Sequence, residues 1–179
     1  MDPLRQYQIA FVGLKAGVHE FSYDIDEWFF KSFDDSLVRK GKLRVHLSFD
    51  KGMSFFLLNF HISGTVQLMC DRCAADLALP LDSEYPIVVK FDEHAEAEKD
   101  DSMADVVYIN RSSSHLDVSQ LIYEFINLSI PLNHVSCDYL RGEKPCNADI
   151  LNRLAPSSHK NLTMVKDPRW DNLSNIKFN

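Results

Sequence analysis

Two cysteines, Cys70 and Cys73, stand two residues apart in a chain that holds four cysteines in all. The runs on either side, Val66–Met69 before and Leu77–Leu81 after, read as β-strand, so the thiols sit on the turn of a hairpin spanning 66–81. A thiol pair at this spacing on a tight turn can aim both sulfurs inward, which is half of a tetrahedral zinc site. Cys137 and Cys146 can supply the other half, although eight residues lie between them, a wider gap than zinc ligands usually show. His134 can stand in for one of them. The competing reading is a set of reduced, partly buried thiols that pack without metal. Redox catalysis is the weakest of the three. It needs a helix N-terminus directly after the first cysteine to lower the thiol pKa, and Leu77-Ala78-Leu79-Pro80-Leu81 is a strand pattern.

Two other groups of side chains can meet a charged partner. Lys42, Arg44 and His46 share one face of a strand, with Arg39 and Lys40 just before it, and could touch phosphates; the plainer alternative is an ordinary solvated face. Near the C-terminus Lys160, Lys166 and Arg169 stand close to Trp170, cations beside a ring that can stack or anchor. Asp167 can cap a short helix there with Pro168 at its first position, placing Trp170, Leu173 and Ile176 on one side, to dock on the body or on a partner. With six glycines in total there is little room for a phosphate-cradling loop, and neither a nucleophile elbow nor a His-Glu-x-x-His run is present. The chain therefore reads as a binding factor rather than an enzyme.

Charge is unevenly spread. Seven acids fall between Phe91 and Asp105 against the single Lys99, whereas Arg141–Asn179 carries seven bases and four acids. The first stretch reads as a solvated acidic loop over 92–105, too floppy to hold a catalytic metal as a ribonuclease would need. The formal charge of −7 argues against tight, non-specific duplex binding, but permits a basic protein partner or a local basic surface on nucleic acid.

The elements that position these residues follow from periodicity. Tyr7–Leu14 reads as a first strand. A helix is expected from Asp24, with Glu27 closing a capping box and Ile25, Trp28, Phe29 and Phe33 on its packed face. Leu43, Val45, Leu47 and Phe49 alternate with polar residues as a half-buried strand. Asp50-Lys51-Gly52 turns the chain with Gly52 at positive φ, and Phe56, Leu58, Phe60 and Ile62 return. Gly64 marks a bulge or bend before Cys70. After the cysteines come strands at Leu77–Leu81 and Tyr85–Phe91, then a short one at Val106–Ile109. Asp117 then opens a helix with Val118, Leu121, Ile122, Phe125 and Ile126 on its inner face, ended by Pro131. Asn147–Leu154 suggests two short turns. The fold class is α+β: an antiparallel sheet of about five or six strands, able to close part-way into a barrel, with two main helices packed on it. The expected organisation is one domain over 1–155 and a basic tail over 156–179. No apolar run approaches the roughly 20 residues of a spanning helix. The first residues lack the features of a signal peptide, so a cytoplasmic protein with reduced thiols is expected.

Three stretches together resemble the YceD family: Gly64-x5-Cys70-Asp71-Arg72-Cys73, Leu121–Pro131 followed by Cys137, and Asp167-Pro168-Arg169-Trp170 with Leu173. Carried over by position, Cys70, Arg72 and Cys73 match the family's Cys-x-Arg-Cys turn. Glu124 matches an acid in the helix, Pro131 its end, Cys137 the cysteine after it, and Asp167, Pro168 and Arg169 the terminal signature. Some members carry a second Cys-x-x-Cys after the helix, where this chain has only Cys137 and Cys146. The resemblance implies a bacterial or plastid protein needed for accumulation of large-subunit ribosomal RNA, whose partner is precursor RNA or a large-subunit ribosomal protein. Taken with the residue patterns above, Arg72, Lys42, Arg44, Arg169 and Trp170 are the candidate contacts, and Cys70, Cys73, Cys137 and Cys146 the candidate ligands of one structural zinc. Two other functions stay open: a metal-dependent RNA-processing enzyme, and a zinc-stapled interaction module unconnected with ribosomes.

Overall fold

The computed structural model describes residues 4–34, 36–92, 105–135 and 146–154. In chain order the strands are β1 (Gln8–Ile9), β2 (Gly17–Ile25), β3 (Lys40–Lys51), β4 (Phe55–Met69), β5 (Asp76–Asp92), β6 (Val106–Asn110) and β7 (Leu116–Asp117); the helices are α1 (Glu27–Lys31), α2 (Ser119–Leu128) and α3 (Ala148–Leu154).

Alternation along β3 and β4 is realised as expected, with Leu43, Val45, Leu47 and Phe49 buried opposite Phe56, Leu58, Phe60 and Ile62. The two expected strands after the cysteines are one, the 17-residue β5. The sheet has the order β2-β3-β4-β5-β6, with a separate two-stranded pairing of β1 and β7. Two expectations are corrected here. The sheet is mixed, because β6 runs parallel to β5 while the other neighbours are antiparallel. It also stays open rather than closing into a barrel: β2 and β6 are its edges.

Tyr7–Leu14 is not one strand. It consists of two 3-10 turns, Arg5–Tyr7 and Phe11–Gly13, around the two residues of β1. Its alternating apolar residues Tyr7, Ile9 and Phe11 are nevertheless all buried. Lys51 holds this segment on the sheet by donating from Nζ to the carbonyls of Phe11 (2.8 Å) and Leu14 (2.7 Å). The strand overlooked in the sequence is β2, which pairs with β3 along its whole length. Its presence delays α1, which is capped by Asp26 rather than Asp24: the Trp28 N–H donates to Asp26 Oδ1 at 2.9 Å. In so short a helix Trp28 falls outside the packed face and is 73% exposed, while Phe29 and Phe30 are buried.

One face of the sheet carries the core. On it α2 lies against β4 and β5, with Phe125 stacked on Tyr85 (4.6 Å between centroids) and edge-on to Phe60 (5.2 Å). Tyr85 Oη and Ser129 Oγ, 3.1 Å apart, join the helix end to the sheet. Phe33 stacks on Tyr123 at 4.2 Å, linking the segment after α1 to α2. Each buried residue of this size contributes about 1.5–3 kcal/mol, so the aromatic layer is the main cohesive element. Asp117, the residue before the N-cap Val118 of α2, accepts at Oδ1 from the Ser119 N–H at 2.9 Å. Gln120 donates to Glu124 one turn along the helix.

Two glycines are required by close approach. Gly64 adopts φ +140°, and a Cβ there would stand 2.7 Å from Leu43 Cα; the pairing of β4 continues through it without a bulge. Gly52 does not take positive φ. A Cβ there would lie 2.6 Å from the Phe55 carbonyl. No described helix is long and apolar enough to cross a membrane.

Candidate functional site

At one end of the sheet β4 stops at Met69 and β5 starts at Asp76, leaving Cys70–Ala75 as the turn. The Cys70 N–H donates to the Ala75 carbonyl and the Ala74 N–H to the Cys70 carbonyl, each at 2.8 Å. Ala74 closes the turn at φ 53°, a left-handed conformation that residues with a Cβ rarely adopt. Cys70 and Cys73 are both buried, Cys73 at 1% exposure, while Asp71 and Arg72 between them face solvent. Buried thiols flanking exposed polar residues suit either packing in the core or half of a metal site.

The turn is fastened to the chain that follows α2. The Asp71 N–H donates to the His134 carbonyl (3.1 Å), and the His134 N–H donates to Asp71 Oδ2 (2.8 Å). His134 Nδ1 lies 3.3 Å from the same Oδ2 and 3.4 Å from the Pro131 carbonyl. This ring nitrogen is engaged, which leaves Nε2 as the one able to turn to a metal. Cys137 falls outside the described residues. Cys146 is half-buried just before α3, where Asn147 accepts from the Leu151 N–H at its carbonyl (3.0 Å) and from the Ile150 N–H at Oδ1 (3.3 Å). The two expected short turns are this single helix, none of whose residues is buried. Among the described residues no three His, Cys, Asp or Glu side chains are grouped to hold a metal ion.

The candidate cations divide. Arg44 is paired with Asp24 across β2 and β3, Nε to Oδ1 at 2.9 Å, so its charge is already answered. Lys42 and Arg72 are exposed, and neither forms an ion pair with a described residue. Arg169 and Trp170 lie outside the described residues. In the middle of the open sheet face His46 accepts or donates at Ser22 Oγ (2.8 Å), its ring stacks with His61 at 6.5 Å, and His61 Nε2 meets Asp82 Oδ1 at 2.9 Å. That centre is of mixed charge. The sequence reading missed Asp71, the residue that ties the turn to the later segment. Its only signal is its place inside Cys-x-x-Cys, and nothing local points to a partner 63 positions away.

Comparison with known proteins adds a family. The model described as "Large ribosomal RNA subunit accumulation protein YceD" matches residues 58–177. The matched stretch takes in β4 from Leu58 on, the cysteine turn, α2, all four cysteines and the positions of Arg72, Arg169 and Trp170, whereas Lys42 and Arg44 precede it. No curated protein and no solved structure matches the chain.

Proposed function

Because the chain belongs to the YceD family, whose description is a role in large ribosomal RNA subunit accumulation, we propose that it is a non-catalytic factor of large-subunit biogenesis that contacts precursor ribosomal RNA directly. The observation that carries this reading is the fastening of the Cys-x-x-Cys turn by Asp71 and His134. It ties the turn to the chain after α2 and leaves Arg72, between the two cysteines, in solvent. A positioned cation on a fastened turn can fix the register of a phosphate backbone without taking part in a reaction. The tail residues Arg169, a cation, and Trp170, a ring that can stack, are proposed to add to the same contact, and a large-subunit ribosomal protein is the other partner the reading admits.

A structural zinc belongs to the proposal. Cys70 and Cys73 would bind it together with Cys137 and Cys146, and the ion would supply a permanent link between the turn and the chain beyond α2. The protein's own residues already hold that link in part through Asp71.

The test is recovery of the tagged full chain from cells, at low and at high salt, with the bound RNA and protein identified. Enrichment of large-subunit precursor RNA at low salt that falls at high salt supports the reading. A ribosomal protein without RNA moves the contact to that protein. Recovery of neither removes the reading. Cleavage of precursor RNA by the purified chain with magnesium would replace it with an enzyme.

A further inference from the structure

Two adjoining hollows open beside the start of β3, of about 410 and 610 Å³, sharing Ser36, Arg39 and Lys40. Phe30, Phe33 and Val38 line the first; Leu37, Leu68 and Met69 line the second. Leu37 is 80% exposed and Met69 66%, so the second hollow has apolar walls open to solvent.

Cations outnumber acids around the groove: Lys31, Arg39 and Lys40 line the two hollows against Glu27 and Asp76, and Lys42 lies next along β3. Lys40 and Lys42 point to the same side of β3, roughly 7 Å apart along the strand, a spacing like that of successive phosphates in an extended nucleic acid. Across the sheet Lys40 faces Gln67 and then Ala78, and Lys42 faces Thr65 and then Pro80; neither row contains a carboxylate. β2 ends opposite Leu43, and just beyond it Glu27, bonded to Lys31, also feels the charge of Lys40. Arg39, Lys40 and Lys42 form no ion pair with a described residue. Of the acids nearby, Glu27 is held by Lys31 at 2.8 Å, Asp76 lines the second hollow beside its cross-strand partner Met69, and Asp34 is exposed just before Ser36.

We propose that this groove binds a single-stranded RNA segment, with backbone phosphates on Arg39, Lys40 and Lys42 and a base against Leu37 and Met69. The proposal rests on the RNA reading above and adds the place of contact. Each nucleotide brings both a phosphate and a flat face, which suits a row of cations beside an apolar wall. An acidic peptide would satisfy the cations and leave the apolar hollow empty. The site lies largely in the part of the chain that precedes the family match, at residues 36–42.

The experiment is fluorescence anisotropy of a labelled mixed-sequence single-stranded RNA with the full chain, between 50 and 200 mM salt. A single-strand phosphate contact contributes about 0.7 to the slope of log affinity against log salt, hence roughly fivefold at 0.1 M relative to 1 M. Lys40→Ala/Lys42→Ala should therefore bind roughly 25-fold more weakly at 0.1 M, with a slope smaller by about 1.4. Leu37→Ser should weaken binding at an unchanged slope. Arg5→Ala/Lys15→Ala removes the same charge at exposed sites elsewhere and should keep the wild-type slope. Equal losses in the two double variants, or none in the groove variant, overturn the groove while leaving RNA binding in place. Wild-type protein that does not bind the RNA at 50 mM salt overturns the groove and the RNA reading together. Polyglutamate that displaces the RNA better than unlabelled RNA at equal charge gives the groove to an acidic protein and overturns the proposal.

Discussion

Asp71 does more for the candidate site than its place between two cysteines suggests. Its carboxylate accepts the His134 N–H and lies beside Nδ1, and its own N–H answers the His134 carbonyl. Asp71→Ala removes both carboxylate contacts but leaves the backbone bond, so the expected loss is about 1 kcal/mol. Urea denaturation should show that loss, and hydrogen exchange should show faster exchange at the His134 amide. An unchanged exchange rate would mean that the carboxylate does not hold the segment. Tyr23 gives a second prediction. Burial, aided by Tyr7 and Asp117, pushes its phenol from 10.0 up to about 12. Below pH 10 the phenol is neutral in both folded and unfolded chains. Between pH 10 and about 12 the unfolded chain ionises first, so native stability falls there. The loss stays below about 2.7 kcal/mol, since the ring is partly exposed and solvent screens it. Denaturation midpoints should show the gap between the protein and Tyr23→Phe narrowing across that window and constant below it. Neither residue's role was legible beforehand, because each depends on partners brought close only by the fold. Gly64 was legible as a special position, although the reason is close approach of Leu43 rather than a bulge.

The elements were read unevenly, and the reason differs for each. The inner face of α2 was legible because Val118, Ile122, Phe125 and Ile126 repeat at helical spacing and all four are buried. Phe125 bridges Tyr85 and Phe60, so Phe125→Ala should cost about 3–5 kcal/mol, seen as a fall in denaturation midpoint. Leu128→Ala, at a position 68% exposed, should change little. β2 escaped notice because Phe21 and Tyr23 are only half-buried at the sheet edge, and a short helical pattern starts where it ends. The direction of β6 was beyond reach for another reason. Composition marks Val106–Asn110 as a strand, but whether it runs parallel depends on where the connecting chain crosses, which five residues do not encode. Pro80 and Pro86 gave an unused hint. Both lie in the part of β5 that β6 does not reach, where a missing N–H is tolerated.

At the scale of the molecule the open face of the sheet changes character along its length. Lys40 and Lys42 form no ion pair with a described residue near the cysteine turn, the centre pairs Arg44 with Asp24 and hydrogen-bonds His61 to Asp82, and the opposite end exposes Val18, Phe55 and Leu57. The core on the other face does not depend on the turn, because β4 and β5 pair along their full length and α2 is fixed by Phe125 and Tyr85. A zinc ion at the turn would therefore stabilise one end rather than create the fold, unlike small zinc-dependent domains that unfold when the metal leaves. Two consequences follow and can be measured together. Full-length protein purified without chelator should contain close to one zinc per chain, and Cys70→Ser should lose it. Removing the metal should lower the thermal midpoint by an amount that depends on free zinc concentration, as mass action requires for a ligand of the native state alone. The far-ultraviolet signature of the sheet should persist throughout. Global unfolding on chelation would mean that the turn, not the aromatic layer, holds the body together; a metal-free chain with the same midpoint as Cys70→Ser would leave the buried thiols as packing alone.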